Sequence, residues 1–161
     1  MTPAELISRR LMARLEAAGV SVPVQSLLIQ ALAGETKSVA SSGVLVNCHI
    51  SEQIAEPLPN YKFDVIVRLV VSIDDDKNGE LFAENYAAIW AAFDYLARED
   101  NCEELGDEND HAENDDAPEP QHVFAVDGFQ LGGGDEPDYQ EDENGGTWTT
   151  SFTATLTGRA N

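Results

Sequence analysis

The sharpest chemical pattern in the chain is Asp74-x-Asp76-x-Asn78-Gly79. Oxygen-bearing side chains alternate and a glycine follows, as in the first six positions of a calcium-binding loop. The match then stops. The chelating glutamate would fall at position 85, which is Asn85, and Glu84 stands one residue early. A strand-like run, not a helix, precedes the loop. Asp74, Asp76 and Asn78 are thus either a divergent calcium site or a polar turn whose acids complement the dipole of a following helix. A second acidic run, Asp135-Glu136-Pro137-Asp138-Tyr139-Gln140-Glu141-Asp142-Glu143, could hold a cation loosely but lacks dedicated ligand spacing. Gly132-Gly133-Gly134 is no phosphate cradle, because acids follow it and no lysine does. His49, His111 and His122 are scattered, no serine sits in a nucleophile elbow, and carboxylate pairs are too common here to mean anything. The expectation is a protein that is not an enzyme, with no cofactor other than a possible calcium ion.

Charge narrows the partners. The 161 residues carry 9 Lys and Arg against 30 Asp and Glu, a formal net charge of -21. That opposes ordinary binding to nucleic-acid phosphates and to anionic membranes, and favours basic protein partners or cations. From Glu99 to Gly158 there are 18 acids and no Lys or Arg. Three of the nine basic residues, Arg9, Arg10 and Arg14, lie on one N-terminal segment, either as the solvated face of a helix or as a contact for an acidic neighbour. Cys48 and Cys102 are far apart and suggest free thiols in a reducing compartment. Cys102, in an acidic setting, should have a raised thiol pKa. No apolar run approaches a membrane span and no signal-peptide pattern opens the chain, so a soluble intracellular product is expected.

The elements that must position these residues are legible as periodicities. Thr2, Pro3 and Glu5 open a helix over 2–18, with Leu6, Ile7, Leu11 and Leu15 as its apolar stripe and Gly19 at its end. A short helix closed by Gly34 is expected within 22–33. Residues 43–54 alternate as a strand. The run from Tyr61 to Ile73 then sets Tyr61, Phe63, Val65, Val67, Leu69, Val71 and Ile73 on one unbroken face of a longer one. Leu81, Phe82, Tyr86, Ile89, Trp90, Phe93 and Leu96 recur at helical spacing from Glu80 to Arg98. Glu99 to Pro120, with 11 acids in 22 residues, predicts a long mobile loop. Two strands follow, His122 to Leu131 and Thr147 to Thr157, pairing as a hairpin with a projecting acidic tip at 132–146. On the second, Trp148, Phe152, Ala154 and Leu156 face the core and threonines face solvent. The sum is one α+β domain over 1–161: a mostly antiparallel sheet of about four or five strands packed against two or three helices, with long acidic loops.

The order of these elements, with Phe82-Ala83-Glu84-Asn85-Tyr86-Ala87-Ala88-Ile89-Trp90 in the central helix and Trp148-Thr149-Thr150-Ser151-Phe152-Thr153-Ala154 in the last strand, resembles the tail-terminator and tail-completion proteins of long-tailed bacteriophages. The resemblance covers most of the chain as a pattern of elements. The acidic insert at 99–120 departs from the compact family pattern. What the resemblance implies is a virion protein, assembled in the host cytoplasm. It would form a homo-oligomeric ring, usually a hexamer, on the end of the tail tube. It would touch the tail-tube protein and a neck or connector protein, with DNA passing through its channel without specific binding. An acidic channel wall would repel DNA phosphates, which makes the loop of Asp135 to Glu143, or that of Glu99 to Glu119, a candidate to face the channel or a neighbouring ring. The competing class is a small acidic binding protein, either a DNA mimic or a calcium-binding module.

Overall fold

Thr2 leads into the first helix. Its Oγ1 accepts a hydrogen bond from the Glu5 backbone N–H at 3.2 Å, capping helix α1 (Pro3–Ala17). The computed structural model describes residues 2–34, 42–54, 60–76, 78–107, 124–134, 136–143 and 145–160. Helix α1 ends where Gly19 takes a positive φ of 105°. There the Gly19 N–H reaches Glu16 O and the Val20 N–H reaches Leu15 O, a two-bond cap that tucks Val20 into the core. The chain then forms strand β1 (Val24–Ser26) and a short helix α2 (Leu27–Leu32) capped by Ser26. The expected helix in this segment is present, but extended backbone precedes it.

Strands β2 (Gly43–Ile54) and β3 (Asn60–Ser72) pair antiparallel, as the break between them predicts. Helix α3 (Glu80–Ala97) follows, then a 3-10 turn (Asn101–Gly106), strand β4 (Phe124–Gly134), strand β5 (Asp138–Asp142) and strand β6 (Gly145–Ala160). The sheet order is β1-β2-β3-β6-β4, with β5 beside the first half of β6. Only β1 runs parallel to its neighbour. The α+β class and the mostly antiparallel sheet agree with the sequence reading; six strands are described rather than four or five.

Two expected loops differ. The tip at 132–146 is strand on both sides of a short gap: β4 continues to Gly134, and β5 resumes at Asp138 and pairs with β6 from Thr149 to Gly145. Thus β4 and β5 form one interrupted edge strand. The segment after α3 starts as an ordered 3-10 turn that buries Cys102 and Leu105. The remainder of the acidic insert, from 108 on, lies outside the described residues.

The core is one-sided. Phe63, Val65, Val67, Leu69 and Val71 of β3, with Phe152, Ala154 and Leu156 of β6, pack against Ile7, Leu11 and Leu15 of α1 and Ile89, Phe93 and Leu96 of α3. The helices thus cover one face of the sheet. The other face carries Ile66, Arg68 and Val70 on β3 beside Thr147, Thr149, Ser151, Thr153 and Thr155 on β6, all exposed or half-buried. Among the described residues no helix is long and apolar enough to cross a membrane.

Candidate functional site

Asp76 sits three residues ahead of Gly79, which begins α3 with a φ of 75° and no side chain to cap it. The Asp76 carboxylate does the capping instead. Its Oδ1 accepts from the Leu81 N–H at 3.0 Å and its Oδ2 from the Phe82 N–H at 2.9 Å, and the residue is only 7% exposed. Two first-turn donors of the helix are thereby satisfied by a charge placed where the helix dipole favours it. Asp75 accepts from Ser42 Oγ, which itself accepts from the Ser72 N–H at 2.9 Å, tying the turn to the start of β2. Asp74 and Asn78 are exposed. Asp75, Asp76, Asn78, Glu80 and Glu84 line a shallow depression, yet among the described residues no three His, Cys, Asp or Glu side chains converge as a metal site would require. Asp76 is thus a helix cap within a polar turn.

The three N-terminal arginines do not act as one surface. Arg14 makes a two-pronged contact with Glu104 of the 3-10 turn, Nε to Oε1 and Nη2 to Oε2, both at 2.6 Å. Its guanidinium also lies 4.0 Å from the ring centroid of Tyr95 on α3. It therefore clamps three elements from within the molecule. Arg9 pairs with Glu5 one turn back at 3.1 Å and is 45% exposed. Arg10 is half-buried. Only Arg9 retains the character of a surface cation.

The acids of the expected hairpin tip are spread along an edge. Glu136, Asp138, Glu141 and Glu143 are exposed; Asp142 pairs through its backbone with Gly145; Asp135 lies outside the described residues. Asp138 accepts from the Gln140 side chain at 3.2 Å. Both cysteines are buried and unpaired. Burial pushes the Cys48 thiol up to about 12, with Asp64 adding to the effect. Cys102 is raised as well, first by burial and then by Glu103, so its acidic surroundings are the lesser cause.

What the sequence reading missed is an aromatic string on the helix side. Tyr139 lies 4.9 Å from Trp148, Trp148 lies 5.9 Å from Phe82, and Phe82 stacks on Tyr86 at 6.0 Å. Tyr86 and Trp90 each meet Phe152, at 5.3 and 5.6 Å. Trp90, Tyr139 and Leu131 remain 37 to 38% exposed. A signal existed in the sequence: α3 has Ala83, Ala87 and Ala91 on positions that turn out exposed, where an ordinary surface helix carries charge.

No protein-family model matches the chain, and no curated protein matches it. Among solved structures, a chain from the "Virion of native gene transfer agent (GTA) particle" superposes with a TM-score of 0.46 at 11% identity, over 92% of this chain and 94% of that one.

Proposed function

We propose that this chain is a structural, non-enzymatic protein of a phage-like particle: a tail terminator whose copies form a ring on the end of the tail tube and join it to the neck. Genome DNA passes through the ring. The observation that carries the reading is the open sheet. Helices α1 and α3 cover one face, and both edges lack full partners among the described residues. Strand β1 covers only Val44–Val46 of β2, leaving Asn47 onward, and no strand is described outside β4 and β5. Unpaired edges are templates for pairing with another chain. Two unlike edges on opposite sides of one subunit suit a head-to-tail contact, which closes into a ring when its rotation allows. The element order behind the tail-terminator resemblance supports the same reading. The acidic balance suits a channel that DNA must traverse without sticking, and the exposed Glu136, Asp138, Glu141 and Glu143 are the acids assigned to the channel or to a neighbouring ring.

The test is the native mass of the purified protein, alone and with tail-tube protein. A closed oligomer of about six copies, formed alone or on the tube, is expected. A monomer that ignores tube protein would remove the reading. Neutralising the four edge acids should leave the fold intact and impair DNA passage; unchanged particle infectivity would reject the channel role alone.

A further inference from the structure

Helix α3 is apolar on the side it should show to water. Its exposed positions are Ala83, Ala87, Trp90, Ala91, Tyr95 and Ala97, with Glu80, Glu84 and Asp94 as the only charged residues of 18. A water-facing side that is mostly alanine and aromatic, with acids only at Glu80, Glu84 and Asp94, is suited to a contact. Beside it, the outer strand is interrupted. The register between β4 and β6 shifts between Leu131 and Gly134, and Gly132, Gly133 and Gly134 supply no side chain there. Phe152, the β6 residue opposite Gly134, therefore meets Tyr86, Trp90 and Phe93 of α3 and has no side chain directly opposite it on the outer strand. Further along, the Tyr139 ring lies over Gly146, where a Cβ would meet its hydroxyl and ring carbons at 2.1 to 2.6 Å. Only glycine at 146 leaves room for Tyr139 in this position against Trp148. The result is a partly exposed apolar strip between α3 and the β4–β5 edge, formed by Phe82, Tyr86, Trp90, Leu131, Tyr139 and Trp148, which we call the α3 groove.

Its Tyr139 end is acidic. Glu141 shares the helix-side face with Tyr139, Glu143 is exposed at the turn, and Asp74 lies 3.7 Å from the Cβ position of Gly145. Aromatic walls with a carboxylate rim attract a side chain that is both long and cationic, since ring faces and acids favour the same charge.

We propose that the α3/β4–β5 groove is a docking site for a basic segment of another protein, one that lays apolar residues along Phe82, Tyr86 and Trp90 and sets a lysine or arginine between Tyr139 and the acids beyond it. The site is on the helix side, away from the open sheet face, and stands whether or not a ring forms. Both tryptophans of the chain line the groove, so their emission reports its occupancy. The probe is an amphipathic helical peptide of leucine and lysine, titrated into the full chain at moderate salt. A saturable blue shift is expected, weakened by added salt. Ala83→Arg, at an exposed position between Phe82 and Trp90, should weaken the peptide on the order of tenfold. Ala87→Arg, one turn on, is the second such variant. Thr149→Arg makes the same charge change on the opposite face and should alter affinity less than about twofold. Equal loss in all three variants would mean that binding follows net charge, and the groove assignment would fall. It would fall also if a leucine–glutamate peptide bound as well, if emission did not move, or if the protein alone showed the same shift on concentration, which would place a second copy in the groove.

Discussion

Asn85 has no exposure, and its side-chain hydrogen bonds join α3 to the segment that enters β1. Its Oδ1 accepts from the Ser21 N–H at 2.8 Å and the Val22 N–H at 3.4 Å, while its Nδ2 donates to Leu81 O at 2.8 Å and Ser21 Oγ at 3.1 Å. An alanine there would strand two backbone donors at the entry to β1. The expected loss is about 2 to 3 kcal/mol, the cost of buried donors left unmet, read as a lower urea midpoint with an unchanged slope. A loss below about 0.5 kcal/mol would mean that water replaces the amide. Cys48 makes a different kind of prediction. Its folded-state pKa of about 12 stands above the ordinary thiol value of 9.0 that the unfolded chain would show. Between those two values the folded chain holds a proton that the unfolded chain has released. The contribution is therefore complete below about pH 9 and declines as pH rises toward 12. Cys48→Val keeps the side-chain size and removes the titration. It should match the wild type at neutral pH and lose stability less steeply above pH 9. Parallel curves would show that Cys48 takes no part in the alkaline loss.

Elements with a strong period were legible. Alternation along Phe63 to Val71 and the Thr2–Pro3–Glu5 start of α1 depend on neighbours in sequence, and both elements lie within a residue or so of expectation. Elements held by distant partners were not. β5 reads as a loop because Asp138, Glu141 and Asp142 disfavour strand locally, and only pairing with β6 and the Tyr139–Trp148 contact make it one. Arg14 reads as a surface cation because its partner, Glu104, is 90 residues away. Trp90 reads as core because helical spacing does not tell where the sheet beneath the helix runs out. The Asp74–Gly79 turn is an intermediate case: the motif was visible, and its carboxylate at position 76 is tied up by the first turn of α3. Asp76→Ala should cost about 1 to 2 kcal/mol, as loss of a helix cap does. Millimolar calcium should leave the melting temperature of the wild type unchanged, since a ligand bound to the folded state alone would raise it. A calcium-dependent rise absent from Asp76→Ala would restore the cation reading of Asp74, Asp76 and Asn78.

At the scale of the whole molecule, the excess of negative charge sets the dependence on salt. Among the described residues the side-chain ion pairs include Arg9–Glu5, Arg14–Glu104, Arg98–Asp94 and, when the imidazole is protonated, His49–Asp64. Three of them have well-exposed members, and exposed pairs contribute about 0 to 1 kcal/mol each. Against them stands a net charge of -21 on 161 residues, whose self-repulsion destabilises the compact state. Salt weakens both effects, over a screening length of about 10 Å at 0.1 M. Repulsion is the larger, so added sodium chloride should raise the melting temperature from low to physiological ionic strength. A fall would show that attractive pairs outweigh repulsion. The same reasoning carries to assembly. Each copy added to a ring brings another acidic surface close to its neighbours, so association of the chain with itself should strengthen as salt rises. Binding of a basic segment in the α3 groove should weaken over that range. Light scattering of the protein alone and tryptophan emission with the leucine–lysine peptide, followed over one salt series, should therefore move in opposite directions. If both fell together, the self-contact would itself be electrostatic, and backbone pairing of the sheet edges would not be what closes the ring.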